Sequence, residues 1–350
     1  MSWRDSRLGD VLTLQRGHDL PNTMRLEGDI PVVSSSGITG YHNEPKASAP
    51  GVVTGRYGTI GEVFYIEQDY WPLNTALYVT DFKGNHPRFI AYLLRNVLRN
   101  YKSDKAAVPG VNRNVLHEIK VHFPDPQVQK RIASILSAYD DLIENNRRRI
   151  QLLEQAARLL YKEWFVHLRF PGHEHVKIKD GVPEGWGKKP IGELAPFKYG
   201  KALKEDDRIP GPYPVYGSSG IVGTHDKALV VGPAIIVGRK GNVGSVYWSK
   251  SNFYPIDTVY YIEAERCSLY LYCALLHMQF ISTDVAVPGL NRDYAHSRTL
   301  LVPDDKILTL FEQHAGIMHD QIDRLTKYNR FLTKARDLLL PRLMNGAITV

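Results

Sequence analysis

The sequence has very little cysteine and no long hydrophobic run, and each shortage excludes a class of protein. Cys267 and Cys273 are the only cysteines, too few for a disulfide-stabilised fold or a four-ligand zinc site. The longest apolar stretches, such as 234–237, are far shorter than the ~20 residues that a membrane-spanning helix needs. The opening Met-Ser-Trp-Arg-Asp does not have the pattern of a signal sequence. We therefore expect a cytoplasmic protein without a membrane partner.

The sequence also lacks the motifs of enzymes that act on DNA. It has no Asn/Asp-Pro-Pro-aromatic tetrapeptide of the amino-methyltransferases, no helicase motif and no nucleoside-triphosphate loop. Glu118 and Lys120 form a nuclease-like triplet, but the second half of the chain does not repeat it. His173 and His175 have no further ligand at a metal-binding spacing. We predict a chain with no catalytic residue, no metal site and no cofactor of its own.

What the sequence does contain is one long internal repeat. Residues of the first 42 positions recur 183 positions later, among them Trp3 as Trp186, Gly17 as Gly200 and His42 as His225. The register continues through the glycine-rich segments 55–61 and 238–244. After a four-residue deletion the offset becomes 179, and 108–113 matches 287–292. A repeat of this length indicates a duplicated domain.

Each copy of the repeat combines short strands with one helix, and a long helix follows it. Glycine and proline bound the β-type runs, which lie at 30–33, 51–54, 62–66, 76–79, 234–237, 245–248 and 258–262. Helical spacing covers 88–101 and 268–281, and a 4-3 spacing typical of coiled coils runs over 132–164 and 311–343. We predict an α+β (mixed α/β) fold. Its parts are domains at 1–125 and 186–304, long helices at 126–169 and 305–346, and a linker at 170–185.

The two long helices are predicted to form an antiparallel coiled coil with pseudo-twofold symmetry. A helix of about 33 residues is ~50 Å long, which exceeds the width of one such domain. Full overlap of the two seams places Asn146 opposite Asn329, with Tyr139 near Arg336 at one end and Trp164 near Phe311 at the other. A buried asparagine pair satisfies its own amides and disfavours slipped registers. The alternative is that each helix packs only on its own domain.

The charge of the chain favours a polyanionic partner. The net charge is +7 and the isoelectric point is near 9.1. Arg56 and Tyr57 in the first copy, and Arg239 and Lys240 in the second, lie between the glycines of the repeated turn. A turn between two strands explains the glycines themselves, and it also lets a cation approach a phosphate closely. We predict DNA contacts at these four residues.

Two further groups of residues are candidate DNA contacts. Asn112 and Arg113, like Asn291 and Arg292, follow a Pro-Gly turn, and their side chains match the edges of adenine and guanine. The alternative is an asparagine that caps the next helix beside a solvated arginine. The second group is the serines at strand-end turns, which are Ser35, Ser36, Ser218 and Ser219. Their backbone N–H groups are candidate donors to a phosphate. The alternative is that these residues only close the turns.

Four segments resemble the specificity subunit of type I restriction-modification systems. Residues 3–9 (Trp-Arg-Asp-Ser-Arg-Leu-Gly) resemble the opening of a domain of that family, and 183–193 resemble its second opening. Residues 153–173 are similar to its central repeat and linker. Residues 335–343 (Ala-Arg-Asp-Leu-Leu-Leu-Pro-Arg-Leu) are similar to its C-terminal signature. The resemblance extends over essentially the whole chain.

The resemblance implies a non-catalytic reader of double-stranded DNA. In this family two target-recognition domains each read one half of a split, asymmetric site. The paired helices dock two DNA adenine methyltransferase subunits, and restriction/translocase subunits join them. S-adenosylmethionine, ATP and Mg²⁺ belong to those partners, so no cofactor is expected in this chain. The alternatives are a single-chain restriction or modification enzyme with its own active site and a scaffold that binds only protein.

The repeat also predicts where sequence specificity lies. Features that both copies share cannot distinguish two different half-sites, so they are expected to contact the DNA backbone or a common base. Specificity is expected where the copies diverge. The divergent segments are 22–29 against 204–211, 43–50 against 226–233, and 85–105 against 265–284.

Overall fold

The computed structural model describes residues 3–56, 61–99, 101, 110–280 and 289–350. The chain divides into two compact units. Unit 1 comprises Met1–Asn146 and Lys327–Val350, and unit 2 comprises Arg147–Thr326. Each unit therefore contains one copy of the repeated domain and a part of each long helix. Across the described ranges, the structure has no helix that is long and apolar enough to cross a membrane.

The first copy and the helix that follows it contain nine strands and four α-helices among their described residues. The strands are β1 (Trp3–Arg7), β2 (Thr13–Arg16), β3 (Ile30–Ser34), β4 (Gly37–His42), β5 (Gly51–Gly55), β6 (Val63–Ile66), β7 (Trp71–Pro72), β8 (Ala76–Asp81) and β9 (Lys120–Pro124). The helices are α1 (Leu8–Val11), α2 (Pro87–Arg99), α3 (Arg113–His117) and α4 (Pro126–Tyr161).

The rest of the described chain forms eleven strands and four α-helices. The strands are β10 (Ile178–Lys179), β11 (Val182–Pro183), β12 (Gly187–Pro190), β13 (Lys198–Tyr199), β14 (Tyr213–Gly217), β15 (Gly220–His225), β16 (Ala234–Gly238), β17 (Val246–Ser249), β18 (Tyr254–Pro255), β19 (Val259–Ile262) and β20 (Thr299–Val302). The helices are α5 (Ile191–Leu194), α6 (Leu269–Met278), α7 (Arg292–Ser297) and α8 (Asp305–Met344).

The two copies have the same strand order. The first copy has a four-stranded sheet β2-β8-β5-β6, a three-stranded sheet β4-β3-β7 and the pair β1-β9. The second copy has β13-β19-β16-β17, β15-β14-β18 and β12-β20. These elements correspond one to one along the chain, so the sequence repeat is a repeat of the fold. The mixed α/β class predicted from the sequence is confirmed.

One pair of repeated glycines is explained by a close approach of the backbone. A Cβ atom on Gly17 would lie 2.2 Å from the carbonyl oxygen of Leu73, and one on Gly200 would lie 2.0 Å from that of Ile256. Both contacts are far shorter than a carbon and an oxygen tolerate, so any side chain would push the loop after β2 away from Leu73 and the loop after β13 away from Ile256.

A buried helix joins each sheet to the long helices of its own unit. In unit 1, Phe89 and Ile90 of α2 pack in one core with Ile132 of α4 and Leu343 of α8. In unit 2, Leu275 of α6 packs in one core with residues of α4 and α8. The buried positions of 85–99 and 265–280 therefore pack in the cores. That the divergent stretches carry DNA specificity stays a prediction for their exposed positions.

The long helices pack along the predicted seam within each unit. All twenty seam positions are buried or half-buried; they are Ile132, Leu136, Tyr139, Ile143, Asn146, Ile150, Leu153, Ala157, Leu160 and Trp164, and Phe311, Ala315, Met318, Ile322, Leu325, Asn329, Leu332, Arg336, Leu339 and Leu343. In unit 1, Asn146 Nδ2 donates a hydrogen bond of 2.9 Å to Asn329 Oδ1. In unit 2, the Trp164 and Phe311 rings lie 5.9 Å apart between centroids. The structure thus brings together two of the three residue pairs that the antiparallel register predicts.

A polar cluster attaches the first domain to the helices of unit 1. Asp140 of α4 accepts a hydrogen bond of 2.6 Å from the Tyr92 hydroxyl of α2, and it also accepts from the Arg336 guanidinium of α8. Arg336 therefore pairs with Asp140, which follows the predicted neighbour Tyr139 in the chain, and with Asp337 at 2.8 Å. Desolvation lowers the pKa of Arg336, but the two carboxylates outweigh it and raise the pKa overall. The guanidinium is therefore charged at any physiological pH.

Candidate nucleic-acid interface

The glycine-rich turn of the second copy is held by backbone hydrogen bonds. Gly244 N–H donates to Gly238 O at 2.9 Å and closes the turn after β16. The N–H groups of Arg239 and Lys240 both donate to Thr258 O, at 2.9 and 3.1 Å. Their backbone donors are therefore used within the fold, and only their side chains are available for a partner. Lys240 is exposed and Arg239 is half-buried.

The first copy repeats this arrangement where it is described. Arg56 N–H donates to Thr75 O at 3.0 Å, the equivalent of the bond that Arg239 makes. Arg56 is half-buried. Tyr57, the other candidate on this turn, lies outside the described residues.

A second backbone bond brings the Asn-Arg pairs to the glycine turns. Val111 N–H donates to Arg56 O at 2.9 Å, and Leu290 N–H donates to Arg239 O at 2.8 Å. The residues that follow begin α3 and α7. In each copy, therefore, the arginine of the turn lies close in space to the arginine that begins the next helix.

The asparagines of these pairs cap helices. Asn112 Oδ1 accepts a hydrogen bond of 2.9 Å from Asn114 N–H, and Asn291 Oδ1 accepts one of 3.0 Å from Tyr294 N–H. A bidentate contact with adenine needs both the oxygen and the nitrogen of the amide, so it would require the cap to open. The capping alternative is the one that the structure shows.

The arginines of the first copy line a cavity of about 350 Å³. Arg56 and Arg113 line it, together with Arg16 at the end of β2. The other described residues of the lining are Leu77, Gly110, Val111 and Asn112. Arg16 was not predicted as a candidate because the second copy does not repeat it. The signal that could have revealed it is the difference between the copies at this one position, Arg16 against Tyr199.

In the second copy, aromatic rings lie against the corresponding arginines. The guanidinium carbon of Arg239 is 4.9 Å from the centre of the Tyr199 ring, and that of Arg292 is 5.0 Å from it. Tyr260, the counterpart of Leu77, contacts Tyr199 at 5.1 Å between ring centroids and donates its hydroxyl to Leu290 O at 2.9 Å. Burial raises the pKa of Tyr260 to about 12. Two cation–π contacts therefore hold the arginines on one tyrosine.

The candidate serines differ in exposure. Ser36 and Ser219 are exposed, and Ser35 is half-buried. The N–H of Ser36 donates to Ser34 Oγ at 3.1 Å, so that donor serves the turn. Ser218 is only 9% exposed, and its carbonyl accepts from Ser245 Oγ at 2.7 Å. Ser218 therefore supports the glycine turn from inside the fold.

The described part of the chain has no cluster of three or more His, Cys, Asp or Glu residues that could hold a metal ion. Burial raises the pKa of the Cys267 and Cys273 thiols to about 12, so neither forms a thiolate near neutral pH.

The curated relatives of this chain are specificity subunits of type I restriction enzymes. The MjaIX subunit of Methanocaldococcus jannaschii is 24% identical over 285 residues, which cover 71% of this chain and 65% of that subunit. The HindI subunit of Haemophilus influenzae is 23% identical over 388 residues, which cover 82% of this chain and 84% of that subunit. The chain thus spans somewhat less than two thirds of the length of the MjaIX subunit.

A solved structure and a family model agree with these relatives. The S subunit of the type I restriction-modification system of M. genitalium has the same fold, with a TM-score of 0.60 at 17% identity, covering 98% of this chain and 96% of that one. The family model for the type I restriction-modification DNA specificity domain matches residues 1–155 and 183–298. The chain therefore belongs to the type I restriction-modification DNA specificity family, whose members are non-catalytic specificity subunits.

Proposed function

We propose that this chain directs a type I restriction-modification complex to a bipartite, asymmetric site in double-stranded DNA. One observation carries the proposal. The two copies have the same strand order and the same backbone bonds around an arginine-bearing turn, but they differ in the side chains beside it. Two domains of one fold with different surfaces are suited to two half-sites of different sequence.

The shared features support contact with the DNA backbone. Arg56 and Arg239 occupy the same position on the turn, and Arg113 and Arg292 begin the next helix. Positive side chains at equivalent positions supply an attraction that does not depend on sequence. The surfaces that diverge, at 22–29 and 43–50 and their counterparts, are proposed to read the bases.

The long helices support docking of partner proteins. Several apolar side chains lie outside the seam and are exposed; they are Ile135, Leu142, Tyr328, Phe331 and Leu338 in unit 1, and Leu152, Leu159 and Ile317 in unit 2. Exposed apolar side chains repeated along a helix are typical of a protein-binding face. We assign these faces to two DNA adenine methyltransferase subunits, with restriction subunits joining them. S-adenosylmethionine, ATP and Mg²⁺ would be bound by those partners.

Methylome sequencing tests this proposal. A host that carries this chain with its methyltransferase partner is expected to methylate adenines in one motif of two different halves separated by a fixed spacer. A host that carries either protein alone is expected to methylate nothing. Methylation or cleavage by this chain alone would identify it as a single-chain enzyme instead.

Binding measurements separate the DNA reader from a protein scaffold. The complex with the methyltransferase is expected to bind a duplex that contains the motif, with an affinity that falls steeply as salt rises. If the methyltransferase binds the duplex equally well with and without this chain, the result would support the protein scaffold.

A further inference from the structure

We propose that Tyr199 is a positioning residue for DNA binding by the second copy, and that its ring holds Arg239 and Arg292 as a pair that is ready to contact the DNA backbone. The inference rests on the proposed function, which assigns both arginines to that backbone, and deepens it. It adds a residue that acts on DNA through its neighbours, at a position where the first copy has Arg16.

The ring of Tyr199 contacts both arginine side chains at the surface of the domain. The guanidinium carbon lies 4.9 Å from the ring centre in Arg239 and 5.0 Å in Arg292. Tyr199 itself is 47% exposed. An aromatic ring attracts a guanidinium through its face, whereas hydrogen bonds leave from the edge of the guanidinium. An arginine held by the ring can therefore still donate to a phosphate.

The backbone near both arginines is anchored at Leu290. Leu290 N–H donates to Arg239 O at 2.8 Å, and Leu290 O accepts from the Tyr260 hydroxyl at 2.9 Å. Arg292, the first residue of α7, follows two positions later. Backbone bonds thus place the two arginines beside each other, and contact with Tyr199 places their guanidinium groups.

Buried aromatic residues support the ring of Tyr199. Tyr199 lies opposite Tyr260 in the β13-β19 pair, and their ring centroids are 5.1 Å apart. Tyr260 is 2% exposed and contacts the equally buried Phe197 at 5.7 Å between centroids. Three rings in contact therefore lead from the core to the two arginines. Because the outermost ring is packed on the core, it provides a fixed surface for the two guanidinium groups.

The first copy differs at all three aromatic positions, and the bonding of a nearby carbonyl differs as well. The aromatic residues and their counterparts are Phe197, Tyr199 and Tyr260, and Leu14, Arg16 and Leu77. In the first copy, Arg16 Nε donates to Asn74 O at 3.3 Å. In the second copy, the equivalent Asp257 O accepts from Arg239 Nη1 at 3.2 Å. The arginine of the glycine turn thus makes, beside Tyr199, the bond that the strand arginine makes in the first copy.

Fixing the arginines before DNA arrives affects affinity in a way that can be measured. An arginine on a surface has many rotamers, and ordering it on a ligand lowers affinity. Where a ring has already ordered the side chain, this cost is met when the protein folds. Removal of the ring changes no charge, so the number of phosphates that the protein neutralises stays the same. Affinity should therefore fall while its salt dependence is preserved.

The test uses the full chain in complex with its methyltransferase partner and a duplex that contains the methylated motif. Tyr199→Leu is expected to weaken binding on the order of tenfold, because two arginine side chains must then be ordered by the DNA. The slope of log affinity against log salt should be the same as in the wild type. The matched control Tyr199→Phe keeps the ring and should bind within about twofold of the wild type.

Variants of the arginines show whether Tyr199 acts through them. Arg239→Gln removes a charge and should reduce the salt slope by about one, which Tyr199→Leu should not do. In a chain that carries both Arg239→Gln and Arg292→Gln, the further change Tyr199→Leu should have no effect on affinity. Tyr199→Gln, a second variant without a ring, should lose as much affinity as Tyr199→Leu.

Three results would overturn the inference. They are unchanged affinity in Tyr199→Leu, equal weakening by Tyr199→Phe, which would assign the hydroxyl to the DNA, and an undiminished effect of Tyr199→Leu without the two arginines, which would assign the ring to the DNA. An unchanged methylome shows that each variant is folded and assembled. Failure of the proposed function has a different signature, namely the absence of any bipartite motif in the wild type.

Discussion

At the scale of single residues, a histidine that occurs in both copies connects a short helix beside the candidate interface to the chain at the start of a sheet strand. His117 Nε2 accepts a hydrogen bond of 3.0 Å from Leu14 N–H, and His296 Nε2 accepts one of 2.9 Å from Phe197 N–H. A Cβ atom on Gly9 would lie 2.9 Å from the Cβ of His117, which explains why a glycine faces each histidine. Burial first, and a neighbouring arginine second, lower the pKa of both imidazoles.

These two histidines make folding stability depend on pH. The unfolded chain protonates its imidazoles below the ordinary pKa of about 6.5, whereas the folded protein keeps His117 and His296 neutral to a lower pH. The unfolded state then binds more protons, so stability is complete above about pH 6.5 and decreases as the pH falls below it. Urea unfolding at pH 7.5 and 5.5 is expected to show this loss.

The double variant His117→Gln, His296→Gln is the matched comparison. Glutamine retains an acceptor but cannot be protonated, so the variant should lose less stability than the wild type on acidification. Its cost at pH 7.5 should be about 1 kcal/mol per site, from a less well aligned hydrogen bond. Some pH dependence remains because burial also lowers the pKa of His86 and His319. Equal loss on acidification in both proteins would contradict the role assigned to this pair.

At the scale of elements, Asn146 and Asn329 form a polar pair within a seam whose other residues are mostly apolar. Besides the bond between the two side chains, Asn329 Nδ2 donates to Ile143 O at 3.2 Å. Truncation of Asn146 leaves the half-buried amide of Asn329 without this bond, which costs about 1–3 kcal/mol. We therefore expect Asn146→Ala to destabilise unit 1 by that amount in urea unfolding.

A double-mutant cycle separates the pair from the two single effects. Asn146→Ala with Asn329→Ala should cost less than the sum of the single changes, with a coupling of about 0.5 kcal/mol or more. The exposed neighbour Asn145 offers a control, and Asn145→Ala should change stability by less than about 0.5 kcal/mol. Additive single effects would mean that the side-chain bond contributes nothing to the pairing of the helices.

The elements show which features a sequence can predict. Alternating and apolar runs identified strands such as Gly51–Gly55 and Ala234–Gly238, because those residues are buried in a sheet. The seam was predictable because the 4-3 spacing is local. The pairing of β1 with β9 was not, since it joins segments more than a hundred residues apart. The alternatives for Ser218 stayed open for the same reason, because its partners Ser245 and Tyr247 lie on another strand and turn.

The candidate site was predictable only where the copies agree. Arg56 and Arg239 stand out because the repeat preserves them, and the backbone bonds to Val111 and Leu290 give that preservation a structural reason. When candidate residues are chosen because both copies share them, every position at which the copies differ is left out. Arg16 was not predicted for that reason, although it lines the cavity beside Arg56 and its counterpart Tyr199 contacts Arg239.

At the scale of the whole molecule, the duplication leaves some features the same in both units and lets others differ between them. The seam, the sheets and the arginine turns occur in both units, and they serve assembly and attachment to DNA in our proposal. Each unit has its own hydrophobic core, which combines one domain with its share of both long helices. A domain can therefore diverge on its surface without altering the core of the other unit.

An exchange of one domain tests this division of labour. If residues 1 to 125 are replaced by the corresponding domain of another family member, the methylated motif is expected to change in one half only. The spacer should stay the same because α4 and α8 are untouched by the exchange. The matched exchange of 186–304 should change the other half. A methylome in which both halves change after a single exchange would rule out independent reading by two domains, because one unit could then not be altered without the other.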